Sequence, residues 1–270
     1  AGIVVETGPE ATLFRPGDEV WYAGAIDRPG TNAEFHLVDE RIVGRKPGSL
    51  DFARAAALPL TSITAWELLF DRLGVAPGKR PGEGALLIVG AAGGVGSILV
   101  QLAHRLTGLR VIGTASRPET RDWVRSLGAD AVIDHSRPLS EELQRRGLGP
   151  VTHVASLTRS DQHFTEIAAA LAPQGRLALI DDPGALDVKL LKQKSLSLHW
   201  ELMFTRSLFQ TPDMIAQHRL LCEVAELVDA GVLRTTLGDH YGTINAANLC
   251  RAHALIESGK AKGKIVLEGF

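Results

Sequence analysis

The stretch Leu86-Leu87-Ile88-Val89-Gly90-Ala91-Ala92-Gly93-Gly94-Val95-Gly96 is an apolar run, then small residues, then the start of a helical pattern. A pyrophosphate needs close backbone approach and open N–H groups at a helix N-terminus. Side chains larger than a methyl would block that approach. Ala92, Gly93, Gly94, Val95 and Gly96 are therefore the candidate pyrophosphate turn. The strict G-x-G-x-x-G spacing is not met. Ala91 stands where the first Gly would be, with Gly93 and Gly96 as the other two. The competing reading is a tight turn with close helix–sheet packing and no ligand. Placement between strand and helix, inside a strand–helix alternation, favours the ligand.

In NAD sites an Asp or Glu about 20 residues past the glycines accepts a hydrogen bond from the ribose 2′-OH. Here Ser116 stands 20 residues after Gly96, followed by Arg117, and neither is a carboxylate. A hydroxyl donor and a planar charged fork suit a 2′-phosphate. Arg121 lies one helical turn on and adds charge. The residue chemistry prefers NADP over NAD. The competing reading makes Arg117 and Arg121 solvated residues at a helix start.

Positioning these residues takes a particular set of elements. Residues 1–50 are rich in Gly, Pro and β-formers, with turns at Gly8-Pro9, Arg15-Pro16-Gly17-Asp18 and Arg28-Pro29-Gly30. Short runs at Ala1–Val5, Glu19–Tyr22 and Ala33–Val38 complete the texture of a small antiparallel β domain. Phe52–Leu58 reads as a helix broken by Pro59. Thr61–Leu73 reads as a second, with apolar residues at spacings of three and four. From Gly84 strands and helices alternate. Strands are expected at Ala85–Val89, Leu109–Thr114, Ala131–Ile133, Val151–Ala155 and Arg176–Ile180. Helices are expected at Val95–Leu106, Pro118–Leu127, Leu139–Arg146 and Phe164–Leu171. Buried, non-alternating strands separated by helices argue for a doubly wound parallel α/β sheet. Ser195–Phe204 is a further expected strand, Asp213–Ala230 and Ile244–Ser258 are helices, and Gly263–Leu267 is a last strand.

Composition sets outer limits. The 270 residues carry 29 Lys+Arg and 31 Asp+Glu, so no net positive charge favours nucleic acid. With 45% apolar and 22% charged residues the chain can bury a core. Two cysteines, Cys222 and Cys250, cannot build a disulfide scaffold or a four-cysteine zinc site, and they fit a reducing cytoplasm. No apolar run approaches the ~18 residues of a membrane span. The chain begins at Ala1 in what reads as mid-fold, so an upstream segment is expected.

Several stretches together resemble the medium-chain dehydrogenase/reductase superfamily. They are Arg15-Pro16-Gly17-Asp18-Glu19-Val20, Ala55–Trp66, Gly90–Gly96 and Ser126-Leu127-Gly128-Ala129-Asp130. The match is to its quinone oxidoreductase-like branch. Leu179-Ile180-Asp181-Asp182-Pro183, Leu198–Arg206 and Gly259–Val266 look like bacterial "zinc-type alcohol dehydrogenase-like" proteins. The resemblance spans almost the whole chain. It implies a Rossmann domain, taken as residues 58–205, inserted in a GroES-like β catalytic domain made of 1–57 and 206–270. It also implies that about a fifth of the family's chain precedes Ala1, including part of the substrate pocket.

Catalytic zinc in that family uses a Cys, a His in a Gly-His-Glu motif and a second Cys. The resemblance places that second Cys near Leu60-Thr61, and neither residue supplies a thiolate. The four-Cys structural loop, expected near Arg41–Pro47, is missing. Cys222 and Cys250 read as buried structural thiols, and His36, His135, His163 and His199 do not cluster in sequence. No metal is expected. Without a Lewis acid, alcohol oxidation lacks a means of holding the alkoxide. A quinone or an α,β-unsaturated carbonyl accepts hydride directly, so such a reductase is the leading expectation. A zinc alcohol dehydrogenase and an NADPH-binding protein with little catalysis are the alternatives.

The resemblance also nominates residues. Ser156, Leu157 and Thr158 follow the fourth strand, and Ile180 and Asp181 the fifth, where cofactor crevices form. Asp181 and Asp182 read equally as a solvated turn. His135 is a candidate beside the adenine or a surface histidine, and Lys264 a cofactor contact or a surface lysine. Thr61 and Thr64 are the catalytic candidates at the cofactor–substrate junction, with helix capping by Thr61 as the alternative. A small-molecule substrate, no nucleic acid, no membrane and a homodimer pairing through Ser195–Phe204 complete the expectations.

Overall fold

The computed structural model describes residues 1–79, 82 and 84–270. In chain order the strands are β1 (Gly2–Ile3), β2 (Glu19–Tyr22), β3 (Val43–Arg45), β4 (Ala85–Val89), β5 (Arg110–Thr114), β6 (Ala131–Ile133), β7 (Val151–Ser156), β8 (Leu171–Leu179), β9 (Ser197–Trp200), β10 (Leu237–His240) and β11 (Lys264–Val266). The α-helices are α1 (Phe52–Ala56), α2 (Pro59–Trp66), α3 (Gly94–Leu106), α4 (Pro118–Ser126), α5 (Leu139–Arg145), α6 (Ser160–Ala170), α7 (Thr205–Leu208), α8 (Ala216–Asp229) and α9 (Ala246–Glu257). The chain forms two compact units, Ala1–Ile63 with Met203–Phe270, and Thr64–Leu202. The limits expected from sequence lie at 57/58 and 205/206.

The first unit holds an antiparallel sheet of order β1-β2-β3 and a parallel pair β10-β11. Asp51 caps α1 by accepting from the Arg54 N–H at 2.7 Å, and Asn245 caps α9 by accepting from the Asn248 N–H at 2.9 Å. The strand expected at Ala33–Val38 does not form. Phe35 and Leu37 are exposed, and His36 is held by the Pro29 carbonyl and the Tyr22 hydroxyl. An alternating pattern without a partner strand has no ladder to join. Val43–Arg45 pairs with β2 instead.

The second unit is a six-stranded parallel sheet of order β6-β5-β4-β7-β8-β9. Every residue of β4 is buried, as a central parallel strand requires. One face packs Leu87, Val89, Ile112, Val154, Leu177 and Leu179 against Leu139 and Leu143 of α5 and Phe164 and Ile167 of α6. Fully burying each such side chain contributes about 1.5–3 kcal/mol. Pro59 opens α2, where a missing N–H costs nothing, and the chain continues past Trp66 as a π-helical turn over Glu67–Arg72. Arg72 binds the buried carboxylate of Glu201 at 2.8 Å and so ties that turn to the residue after β9. β8 starts at Leu171, earlier than its apolar run, and shifts register against β7 around Gln174, whose φ is +64°.

Candidate functional site

The strand order reverses at β4, which lies between β5 and β7. In such sheets the crevice beyond the strand carboxyl ends at that switch point is where ligands bind. The glycine-rich turn stands there. Gly90 leaves β4 with φ +85°, and a Cβ on it would meet the Thr158 methyl at 3.0 Å. Gly93 donates to the Gly90 carbonyl at 3.2 Å and becomes the N-cap of α3 with no side-chain cap. Gly94, Val95 and Gly96 form the first helical turn, whose amides have no intrahelical acceptor. A Cβ on Gly96 would lie 2.5 Å from the Gly90 oxygen and 2.6 Å from the Ala91 Cα. Its role is close contact between helix and strand. A Cβ on Gly93 would meet only the Gly90 oxygen, at 3.5 Å, and Ala92, Gly93, Gly94 and Val95 are half-buried. A cradle of small residues with an uncapped helix start fits a pyrophosphate.

Beyond β5, Ser116 is exposed and Arg117 half-buried, with the Arg117 Nε 3.1 Å from the Glu119 carboxylate. Arg121 is more committed. Its Nε donates to the Ala115 carbonyl at 3.1 Å and its Nη2 to Asp134 at 2.8 Å. It braces the ends of β5 and β6. Burial pushes the Asp134 carboxyl up, but hydrogen bonds from Ser136 and the Arg121 charge outweigh it and hold the group below the usual range.

After β7, the Leu157 N–H returns to the Val89 carbonyl at 3.1 Å, and the Ser156 and Ser160 hydroxyls meet at 2.7 Å. The Asp181 carboxylate accepts from the Ser160 N–H at 2.9 Å and the Ser160 hydroxyl at 2.5 Å. Asp181 therefore caps α6 from a distant loop. Asp182 is exposed and Ile180 half-buried.

Thr61 lies inside α2 and donates to the Leu58 carbonyl at 3.1 Å, so it is not that helix's N-cap. Thr61 and Thr64 are both buried. Lys264 belongs to β11 in the other unit, where burial lowers its pKa. His135 is half-buried, not a surface histidine, and its ring lies 6.3 Å from that of His163. Neither motif nor spacing signals that pair. Nor does any signal Thr114, whose hydroxyl accepts from the Gly90 N–H at 3.1 Å and lies 3.2 Å from His135 Nδ1.

Among the described residues no group of three or more His, Cys, Asp or Glu side chains is placed to hold a metal ion. The thiols do not offer one: Cys222 is half-buried on α8 and Cys250 is exposed on α9. Both were expected to be buried. Cys222 adjoins the buried Leu220, Leu221 and Val224 of α8, while α9 buries Ala252 and leaves Cys250 in solvent.

Residues 127–267 match the family model described as zinc-binding dehydrogenase. A zinc-type alcohol dehydrogenase-like protein of Staphylococcus aureus is 37% identical over 271 residues, covering 98% of this chain and 80% of that protein. The structure of a Rhizobium etli protein, provisionally described as a zinc-dependent alcohol dehydrogenase, superposes with a TM-score of 0.95 at 64% identity, over 100% of this chain and 79% of that one. A quinone oxidoreductase of Pseudomonas syringae superposes with a TM-score of 0.82 at 26% identity, over 99% of this chain and 80% of that one. With a parallel sheet, a glycine cradle at its switch point and this agreement along its length, the chain belongs to the zinc-type alcohol dehydrogenase-like family of oxidoreductases in the medium-chain dehydrogenase/reductase superfamily.

Proposed function

We propose that this oxidoreductase is an NADPH-dependent reductase of quinones or α,β-unsaturated carbonyls that works without zinc. The observation that carries the reading is the end of β5, where Ser116 and Arg117 stand in place of a ribose-binding carboxylate. The nearby carboxylates of Glu119 and Asp134 are already paired with Arg117 and Arg121. A 2′-phosphate would meet a hydroxyl and a guanidinium beside a solvent-exposed glutamate.

Ala92, Gly93, Gly94, Val95 and Gly96 would hold the pyrophosphate. Ser116 and Arg117 would hold the 2′-phosphate, with Arg121 fixing their backbone. Ser156, Leu157, Thr158 and Ile180 would line the crevice over β7 and β8, with Asp181 holding that loop in place. His135 would flank the adenosine end, and Lys264 is assigned to the cofactor from its family motif. NADPH, when bound, supplies the hydride.

Thr61 and Thr64 are the proposed positioning hydroxyls for the acceptor. The Thr61 hydroxyl donates to the Leu58 carbonyl, so its oxygen offers lone pairs. The family's name implies zinc, but Thr61 stands where a thiolate would be needed, which favours hydride transfer to an electron-poor acceptor. We assign residues 58–205 to the Rossmann domain and 1–57 with 206–270 to the GroES-like catalytic domain. The edge strand β9, with exposed Trp200 and Leu202 beside it, is the proposed homodimer contact, and the cytoplasm is the proposed location of an enzyme with two unpaired thiols.

The test is oxidation of NADPH and NADH at 340 nm against 1,4-benzoquinone, 9,10-phenanthrenequinone and a simple enone, with and without chelator. NADPH-preferring, chelator-insensitive turnover is expected. Arg117→Ala should raise the NADPH KM about tenfold, for one screened charge-assisted contact, and leave the NADH KM unchanged. Chelator-sensitive alcohol oxidation would overturn the zinc-free reading. NADPH binding with no turnover of any acceptor would identify a binding protein.

A further inference from the structure

A cavity of about 340 Å³ opens at the amino end of the parallel sheet, away from the glycine-rich turn. Its walls come from the start of β7, from β8 and from the chain that follows the π-helical turn. The Thr152 hydroxyl ties this end to β4 by accepting from the Ala85 N–H at 3.1 Å. The glycine turn leaves the opposite end of β4, five residues on, or about 15 Å at strand spacing. A bulge shapes the wall. Leu171 pairs with Val151 and Arg176 with His153, so Ala172 to Gly175 of β8 stand opposite Thr152 alone. The surplus loops out of the sheet through Gln174 at φ +64°. A Cβ on Gly175 would lie 2.8 Å from Leu171 Cδ2 and 2.9 Å from the Ala172 oxygen, so the loop folds back closely on itself. Bulges of this kind re-aim the side chains beside them.

Arg176 supplies the cavity's charge. As register partners, Arg176 and His153 project from the same face of the sheet. Arg72 and Arg145 are paired with the carboxylates of Glu201 and Glu142. Among the described residues no carboxylate lies within ion-pair distance of Arg176, and its hydrogen bond runs from Nη1 to the Leu73 carbonyl at 2.8 Å. That bond anchors the guanidinium and leaves its Nε–Nη2 edge. This edge is the side-on fork that binds a carboxylate through two parallel bonds. The rest of the wall is mostly apolar. Val75 and Leu109 are buried there, and Ala76 and Pro173 are exposed. His153 Nδ1 lies 2.9 Å from the Thr152 hydroxyl, which fixes the ring against the sheet.

We propose that this cavity is a second ligand site, separate from the cofactor crevice, for a small monocarboxylate with a compact apolar body. The carboxylate takes the Nε–Nη2 edge of Arg176, and the body lies against Val75, Leu109, Ala76 and Pro173. One guanidinium matches one negative charge in a planar fork, whereas a phosphate dianion would keep a charge without a partner. The Leu73 carbonyl holds the guanidinium before the ligand arrives, so less side-chain freedom is lost on binding. The site is built wholly from the sheet unit and does not depend on which nicotinamide cofactor the chain uses.

The test is a ¹H–¹⁵N NMR titration of the whole chain with benzoate, its neutral analogue benzamide, and inorganic phosphate. Benzoate should give saturable shifts at the amides of Gly74, Ala76, His153 and Gly175. Benzamide and phosphate should bind about tenfold more weakly or worse, for the loss of one charge-assisted fork. Arg176→Gln should weaken benzoate by a similar factor. Ala76→Trp, at an exposed wall position, should fill the cavity and abolish the shifts while Arg176 stays in place. Melting curves of both variants report whether the fold is kept, and the benzamide comparison needs no variant at all. Saturating NADP⁺ should leave the benzoate affinity unchanged. Benzoate binding in a chain that fails to bind NADP⁺ supports this site and overturns the cofactor reading. Shifts centred on Gly93 to Gly96, displacement of benzoate by NADP⁺, equal binding of benzamide or phosphate, or no saturable shift each overturn the site.

Discussion

Replacing Asp181 with Ala should destabilise the sheet unit by about 2 kcal/mol. Asp181 accepts two hydrogen bonds from Ser160, one from its N–H at 2.9 Å and one from its hydroxyl at 2.5 Å. Ser160 is fully buried, so water does not replace the lost acceptor. Its hydroxyl keeps the Ser156 oxygen at 2.7 Å as a partner. Its N–H keeps none among the described residues. The loss is dominated by one orphaned amide, which costs about 1–3 kcal/mol. That agrees with the roughly 0.5–2 kcal/mol lost with an ordinary N-cap. Asp181→Asn retains one carbonyl acceptor and should lose about half as much. The assay is urea unfolding followed by far-UV circular dichroism and tryptophan fluorescence, without nucleotide. At about 2–4 °C per kcal/mol for a domain of this size, melting should fall by about 4–8 °C. An Asp181→Ala protein within about 0.5 kcal/mol of the wild type would show that the carboxylate does not cap α6. Asp181 would then be available for a ligand role.

Two glycine substitutions separate packing from ligand approach. Gly96→Ala drives a Cβ to 2.5 Å from the Gly90 oxygen, where backbone must shift, and should cost about 1–3 kcal/mol along with nucleotide binding. Gly93→Ala meets the same oxygen at 3.5 Å, so stability should hold while NADPH affinity, read by its fluorescence, drops; unchanged affinity would remove Gly93 from the pyrophosphate cradle. In the other unit Asp229 accepts from the Ser49 and Gly48 N–H groups at 2.8 and 3.0 Å, and the Ser49 side chain first, with these two bonds, holds its pKa down against burial. A depressed carboxylate stabilises the fold above its unfolded pKa of about 4, and that contribution is lost as pH falls through the folded value. The urea midpoints of wild type and Asp229→Asn should therefore differ most near neutrality and converge toward pH 3, and a gap independent of pH would refute the assignment.

What depends only on neighbouring residues was legible along the chain. The buried run Ala85–Val89, the small residues after it and the apolar spacing of α3 specify a strand, a close turn and a helix, because backbone sterics and burial act locally. The absence of a carboxylate at Ser116 and Arg117 was also legible, since it needs only a count along the chain. What depends on who stands beside whom came from folding. Residues 33–38 alternate like a strand but form none, while the unpromising Val43-Gly44-Arg45 pairs with β2, because a strand exists only where a partner ladder does. Arg121 looked like a phosphate ligand in line with Arg117, yet folding sets it against Asp134, thirteen residues away and on another strand's end. Asp181 is spent on a helix that begins 21 residues earlier. His135 and His163, with nothing in their spacing to join them, meet because β6 ends where α6 begins, at one corner of the sheet. Hydrogen bonds and charges at such strand ends act over a few ångströms of space, and the order of strands in the sheet is what sets those distances.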